Sequence, residues 1–138
     1  MVKRIREKSI FLVHATPLEP EEWHYIFTYF EAKKNFRYLP DRFCFIGHSH
    51  VPVIIEEAPD GEIRSYRQKA EFHDEHRYII NVGSVGQPRD EDPDAAYAIF
   101  DEKGVEIIRV PYDVKRTQRK MLEAGLPDYL INRLSYGR

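Results

Sequence analysis

The sequence predicts an α+β fold, strand-rich in the middle and with helices near both ends. Two observations carry this. Short apolar runs rich in β-branched and aromatic residues recur between Ser9 and Val110, bounded by Gly, Pro and Asp clusters. Helical spacing and helix-start residues appear only near the ends, after Pro20, after Asp113 and after Pro127. No internal repeat, low-complexity segment or linker divides the 138 residues, so a single domain over 1–138 is expected.

In chain order, Ser9 to Val13 reads as a short buried strand that ends at His14. A proline-rich loop follows. Glu19-Pro20-Glu21-Glu22 then predicts a helix start, with proline near its first turn and acids favouring the dipole. Trp23, Ile26, Phe27 and Phe30 fall at helical spacing and are expected to form its apolar face. Phe43 to Ile46 is the next strand, ended by Gly47, and Val51 to Glu57 looks extended. "APDGE" reads as a turn. Ile63 to Gln68 and Arg77 to Asn81 are further strands, and "NVGSVGQPRDEDPD" is a loop. Ala95 to Phe100 and Val105 to Val110 predict a hairpin around "DEKG". Asp113 is an N-cap candidate for a helix ending at Gly125. Pro127 opens a last helix with Tyr129, Leu130 and Leu134 on one side.

Composition narrows the function. Hydrophobic residues at 42% suffice for a packed core, and charged residues at 32% argue against a membrane protein. No segment reaches the roughly 18 apolar residues of a span. The formal net charge is −2, with both signs interspersed, so nucleic acid is not an expected partner. The basic start followed by Ile10 to Val13 is too short for a secretory signal, and a cytoplasmic location is expected. One cysteine, Cys44, excludes an internal disulfide and a multi-cysteine zinc site, and its flanking phenylalanines predict a buried thiol.

Histidines supply the chemistry. His14, His48 and His50 stand at or just after strand ends, where rigid elements deliver side chains to a common rim. In an extended "GHSH" the two imidazoles would share a face; in a looser turn they would diverge and flank two neighbouring ions. Neutral imidazole suits first-row divalent ions. Gly47 is expected to let the backbone turn sharply and to admit a ligand closely. A satisfied polar residue is the alternative for His14. His24, on a helix face, and His73 and His76, in a charged loop, read as solvated surface.

Three segments, in order, resemble the calcineurin-like metallophosphoesterases, in particular the small bacterial and archaeal phosphodiesterase-type branch. "FLVHATPLEPEEW" is similar to that family's strand ending in a metal-binding histidine, "GHSHVP" to its Gly-His-Thr-His-x-Pro, and "NVGSVGQPRD" to its Asn-Pro-Gly-Ser-Val-Gly-Gln-Pro-Arg. The tail is similar as well. The resemblance implies the C-terminal part of an α-β-β-α sandwich, with a mixed or antiparallel sheet and flanking helices. It implies that His14 and His48 bind one ion of a two-metal centre and His50 the other. Gly47, Asn81, Gly83 and Ser84 would form the structural loop beside them. Two departures are Ala15 for the usual Gly and Val82 for the usual Pro. Arg89 suits bidentate contact with a substrate phosphate, and a structural ion pair with a neighbouring acid is the alternative.

The resemblance also sets a limit. The family's Asp-x-His, Gly-Asp-x-x-Asp and Gly-Asn-His-Asp/Glu motifs supply the remaining ligands and the catalytic histidine, and none is expected in this chain. Two ions about 3.5–4 Å apart need carboxylates for charge and bridging. Asp90, Asp92 and Asp94 read as solvated, and Asp41 lies at the wrong end of its strand. No catalytic residue is therefore assigned, and the divalent site (Mn, Fe, Zn, Ni or Mg) is expected to be incomplete. The readings left open are a metal-dependent phosphoesterase completed by a separately encoded N-terminal half, a non-catalytic interaction or relic module with weak metal binding, and a plain structural domain. An apolar sheet face left bare by the absent half predicts a homo-oligomer or a pair with that half.

Overall fold

A computed structural model describes residues 2–138. Met1, the first residue of the expected domain 1–138, lies outside them. Nine strands and three α-helices are formed among the described residues. A hairpin comes first, β1 (Val2–Ile5) and β2 (Ile10–Val13). Helix α1 (Tyr29–Phe36) follows, then β3 (Phe43–Ile46), β4 (Val53–Glu57), β5 (Ile63–Tyr66), β6 (Lys69–Glu71) and β7 (Arg77–Asn81). The chain closes with the hairpin β8 (Ala95–Phe100) and β9 (Gly104–Val110), then α2 (Val114–Glu123), α3 (Asp128–Asn132) and a terminal 3-10 turn.

The strands form a six-stranded sheet in the order β1-β2-β3-β7-β4-β5 and a three-stranded sheet in the order β6-β9-β8. The larger sheet is mixed, as expected. β2, β3 and β7 run parallel at its centre, while β1, β4 and β5 pair antiparallel around them. Parallel neighbours end at the same edge. Val13, Ile46 and Asn81 therefore finish side by side, and the residues after them share one rim.

Alternation along the strands sorts side chains into two cores. Phe43, Ile54, Tyr78 and Ile80 face the small sheet and meet Ala70, Ala96, Val105 and Ile107. Cys44, Ile55 and Ile79 face the other way and meet Ala32, Phe36 and Leu39 of α1 and its flank. Both faces of the large sheet are thus covered within the chain, while the outer face of the small sheet leaves Tyr97, Ile99 and Val110 exposed. α1 and the segment leading to it close the large sheet's other face. Asn35 holds the segment down: its Oδ1 accepts from Leu18 N at 3.1 Å, while Thr16 Oγ1 donates to Leu18 O at 2.8 Å. Burial pushes the Cys44 thiol well up from its ordinary value, which makes it inert, as its apolar setting predicts.

The first helix starts later than its sequence suggests. Pro20–Glu22 form only a 3-10 turn, ended by Trp23 at φ 57°. Residues 23–27 then run without regular structure, and α1 begins after Thr28. Thr28 Oγ1 accepts from Glu31 N, and the Glu31 carboxylate accepts from Thr28 N, a reciprocal capping box. Those bonds decide the boundary. Of the four side chains assigned to an apolar helix face, only Ile26 is buried; Trp23, Phe27 and Phe30 are exposed.

At the edge opposite the histidine rim sits a buried carboxylate, Glu56. It accepts from Tyr66 Oη at 2.6 Å and Tyr78 Oη at 3.0 Å, and pairs with His76 Nδ1 at 2.7 Å. His76 is therefore a half-buried core partner and not the solvated residue expected from sequence. Burial alone would raise the Glu56 pKa. The bonds from Tyr66, Tyr78 and His76 outweigh it and hold the pKa below the ordinary glutamate value. The Tyr78 hydroxyl is pushed up to about 12 by burial and by the same carboxylate. A carboxylate whose pKa is lower folded than unfolded stabilises the fold above its unfolded pKa. That stability is lost as pH falls through the folded value. Thermal melts from pH 7 to 3 are expected to show a fall in stability below about pH 4.5. Glu56→Gln is expected to cost about 2–4 kcal/mol at pH 7 and to flatten that acid dependence. Thr28→Ala is expected to cost about 1 kcal/mol in the same assay.

Candidate metal centre

The rim is built by the turn Gly47-His48-Ser49-His50. Gly47 N donates to His14 O at 3.0 Å, which extends the β2–β3 pairing by one step. The sharp turn does not fall on Gly47, whose added Cβ would meet only His14 O at 3.8 Å. It falls on His48 and His50, at φ 57° and 59°. Left-handed backbone costs a non-glycine residue on the order of 1–2 kcal/mol, so two such residues need outside support.

Asn81 provides that support from the end of β7. Its Nδ2 donates to Gly47 O and to Ser49 Oγ, both at 2.8 Å, and its Oδ1 accepts from Gly83 N at 3.0 Å. One amide therefore ties the histidine turn to the loop after β7. Gly83 is required there: at φ 77°, an added Cβ would stand 2.8 Å from Ala96 Cβ. Ser84 Oγ accepts from Gln87 N at 3.0 Å and continues the loop. Val82, where the resembled motif has proline, keeps an N–H that donates to Ile46 O at 3.0 Å.

The left-handed turn separates the two imidazoles. His48 turns toward His14, with ring centroids 5.2 Å apart. Trp23 lies 4.9 Å from the His14 ring, and Tyr25 stacks on His48 at 4.3 Å. His50 points elsewhere, with Nδ1 2.7 Å from Gln87 O. A carbonyl only accepts, so Nδ1 carries the proton and Nε2 keeps its lone pair, the arrangement of a metal-ligating histidine. The His48 pKa is lowered by burial and by His14, against a hydrogen bond with the Trp23 backbone. That of His50 is lowered by burial, with Gln87 opposing and Arg89 adding. Both shifts favour the neutral form of the ring.

Acids do not join them. Among the described residues, no three His, Cys, Asp or Glu side chains converge to hold a metal ion. Asp90 pairs with Arg109, whose Nε lies 3.6 Å from Asp92 Oδ2, so Asp90 and Asp92 are structural partners and not the free solvated acids expected from sequence. Asp41 is buried against Arg4. A literal Asp-x-His, Asp74 to His76, is present in the sequence after all, but His76 is spent on Glu56 at the far edge. With Asp90 taken by Arg109, Arg89 makes no ion pair among the described residues. Its Nη2 donates to Gln87 Oε1 at 2.9 Å, and its buried Nε has no partner.

Sequence reasoning missed Gln87, Ser49 and Tyr25, and placed Trp23 on an apolar helix face and not beside the histidines. Trp23-x-Tyr25-x-Phe27 is a period-of-two pattern, and Thr28-x-x-Glu31 a capping box; together they were the available signal. Asn81→Ala leaves Gly47 O, Ser49 Oγ and Gly83 N without their partner. It is expected to cost about 3 kcal/mol in denaturant melts and to loosen the turn. Amide exchange at Gly83 is expected to rise in the same variant.

No family model matches the chain. It is 40% identical over 139 residues to the uncharacterized protein MJ0912 of Methanocaldococcus jannaschii, across 99% of this chain and 55% of that protein. The crystal structure of a metallophosphoesterase from Sphaerobacter thermophilus matches with a TM-score of 0.86 and 40% identity, over 98% of this chain and 58% of that one. The hypothetical protein PH1004 from Pyrococcus horikoshii OT3 matches with a TM-score of 0.70 at 20% identity, over 100% of this chain and 50% of that one, a likeness of fold alone. The chain thus spans about half the length of the relatives it matches. Its fold is metallophosphoesterase-like, and its sequence is similar to that of a metallophosphoesterase over 98% of the chain.

Proposed function

We propose that this chain is part of a metal-dependent phosphoesterase, acting on phosphomonoesters or phosphodiesters. In this reading His14 and His48 hold one divalent ion, His50 holds a second, and Arg89 meets the substrate phosphate. The carrying observation is the rim itself. Two adjacent imidazoles and a third with Nε2 free stand at one sheet edge, in a chain that superposes on a metallophosphoesterase. The buried, partnerless Nε of Arg89 supports the phosphate role.

The donor set fits such ions only in part. Imidazoles suit Mn, Fe, Zn, Ni or Mg to different degrees, with manganese the first ion to try. No carboxylate at the rim neutralises or bridges two of them. A bound divalent ion would polarise a phosphoryl oxygen and lower the pKa of its water. This chain's residues would ligate it and steer the phosphate. The bridging carboxylates and the catalytic histidine would come from elsewhere in an assembly, from a complementary N-terminal half or a second copy. The relatives' greater length supports the former.

A second reading is favoured by one observation, the lack of any convergent three-ligand set among the described residues. It makes the chain a non-catalytic interaction module. Mixing separates the two. The chain alone, with manganese and bis(p-nitrophenyl) phosphate, is expected to be inactive. Activity is expected when a complementary half bearing Asp-x-His and Gly-Asp-x-x-Asp is added, and His48→Ala is expected to remove it along with bound manganese. A complex that forms and stays inactive contradicts the phosphoesterase reading and favours the module.

A further inference from the structure

A row of rings leads away from the histidines, and phosphate chemistry does not account for it. Trp23 touches both His14 and His48; Tyr25 stacks on His48 with planes 17° apart. Phe27 stacks on Tyr25 at 5.2 Å and 14°. Ile26 between them is buried, while Trp23, Tyr25 and Phe27 are 53%, 41% and 65% exposed. Anchoring Ile26 against Phe36 and Ile79 turns its two neighbours outward. The fold gains little burial from these rings. Contiguous exposed aromatics beside a site point to something that covers them.

Phe27 also borders a cleft of about 1040 Å³ that begins at Ser49, between the two site histidines. Val51 and Val53 line it as apolar wall, and Ser65, Arg67 and Gln68 offer donors and acceptors. A flat π-face, apolar flanks and polar groups in one cleft suit a planar heteroaromatic ring with hydrogen-bonding edges.

We propose that this cleft, with Phe27 as its stacking face, is a subsite for the aromatic base of a nucleotide-like ligand whose phosphate lies at the histidine rim. The phosphate part rests on the phosphoesterase reading; the stacking part does not. Ligands of sugar and phosphate alone leave the cleft unfilled and gain nothing from it.

The sequence has a single tryptophan, Trp23, so intrinsic fluorescence reports directly on this row. The full chain is titrated with AMP, ribose 5-phosphate, adenosine and inorganic phosphate. AMP is expected to quench Trp23 and to bind at least about tenfold more tightly than ribose 5-phosphate, in line with the worth of one stacked base. Phe27→Ala is expected to remove that preference and leave ribose 5-phosphate binding unchanged, and Phe27→Trp, followed by AMP competition, to keep it. Equal affinity for AMP and ribose 5-phosphate overturns the proposal, as does no AMP binding or a preference that survives Phe27→Ala. Adenosine binding that equals AMP binding, with no competition from inorganic phosphate, supports the stacking subsite and sinks the phosphoester reading instead.

Discussion

The candidate centre depends on one side-chain amide. Asn81 ends β7 and spends its donors and acceptor on Gly47 O, Ser49 Oγ and Gly83 N. Those bonds act with Ser49 N on Gly47 O and His50 Nδ1 on Gln87 O to hold two histidines in left-handed backbone. With them, His48 is directed at His14 and His50 at Gln87. A strained turn fixed by a buried amide is stiff, and stiffness is what a ligand set requires. Two of the left-handed non-glycine residues, His48 and His50, fall in this one turn, beside a regular sheet.

The sheet order makes the amide effective. β3 lies between β2 and β7, all three parallel, so the turn after Ile46 has His14 on one side and Asn81 on the other. The two cores fix that edge from both faces. Glu56, with its two tyrosines and His76, ties β4, β5 and β7 at the opposite edge. The rim thus borrows rigidity from packing that takes no part in its chemistry. Among the described residues no helix is long and apolar enough to cross a membrane.

Much of this was legible because it depends on local pattern. Apolar runs ending at His14 and Gly47 mark strands, Asp113 and Gly125 bound α2, and "DEKG" turns the last hairpin. The α+β class follows from them, and the mixed sheet was implied by the resemblance to metallophosphoesterases. Long-range pairing was not legible. Nothing local says that Asp90 meets Arg109, that His76 meets Glu56, or that α1 covers the second sheet face. The false helix at Trp23 shows a different limit. Its apolar spacing fits a helix, yet a capping box at Thr28 and an extended run before it win, because they satisfy backbone donors and bury Ile26. Reading that stretch as helix also concealed the aromatic row beside the histidines.

The account stands on the rim acting as a nitrogen ligand set, and imidazole ¹⁵N spectra of the labelled chain during a zinc titration test that most directly. His50 is expected to show the Nδ1-protonated tautomer before metal is added. His14 and His48 nitrogens are then expected to shift together along one isotherm, with His24 and His73 unmoved. Shifts confined to His24 or His73, or a His50 ring protonated at Nε2, would contradict it.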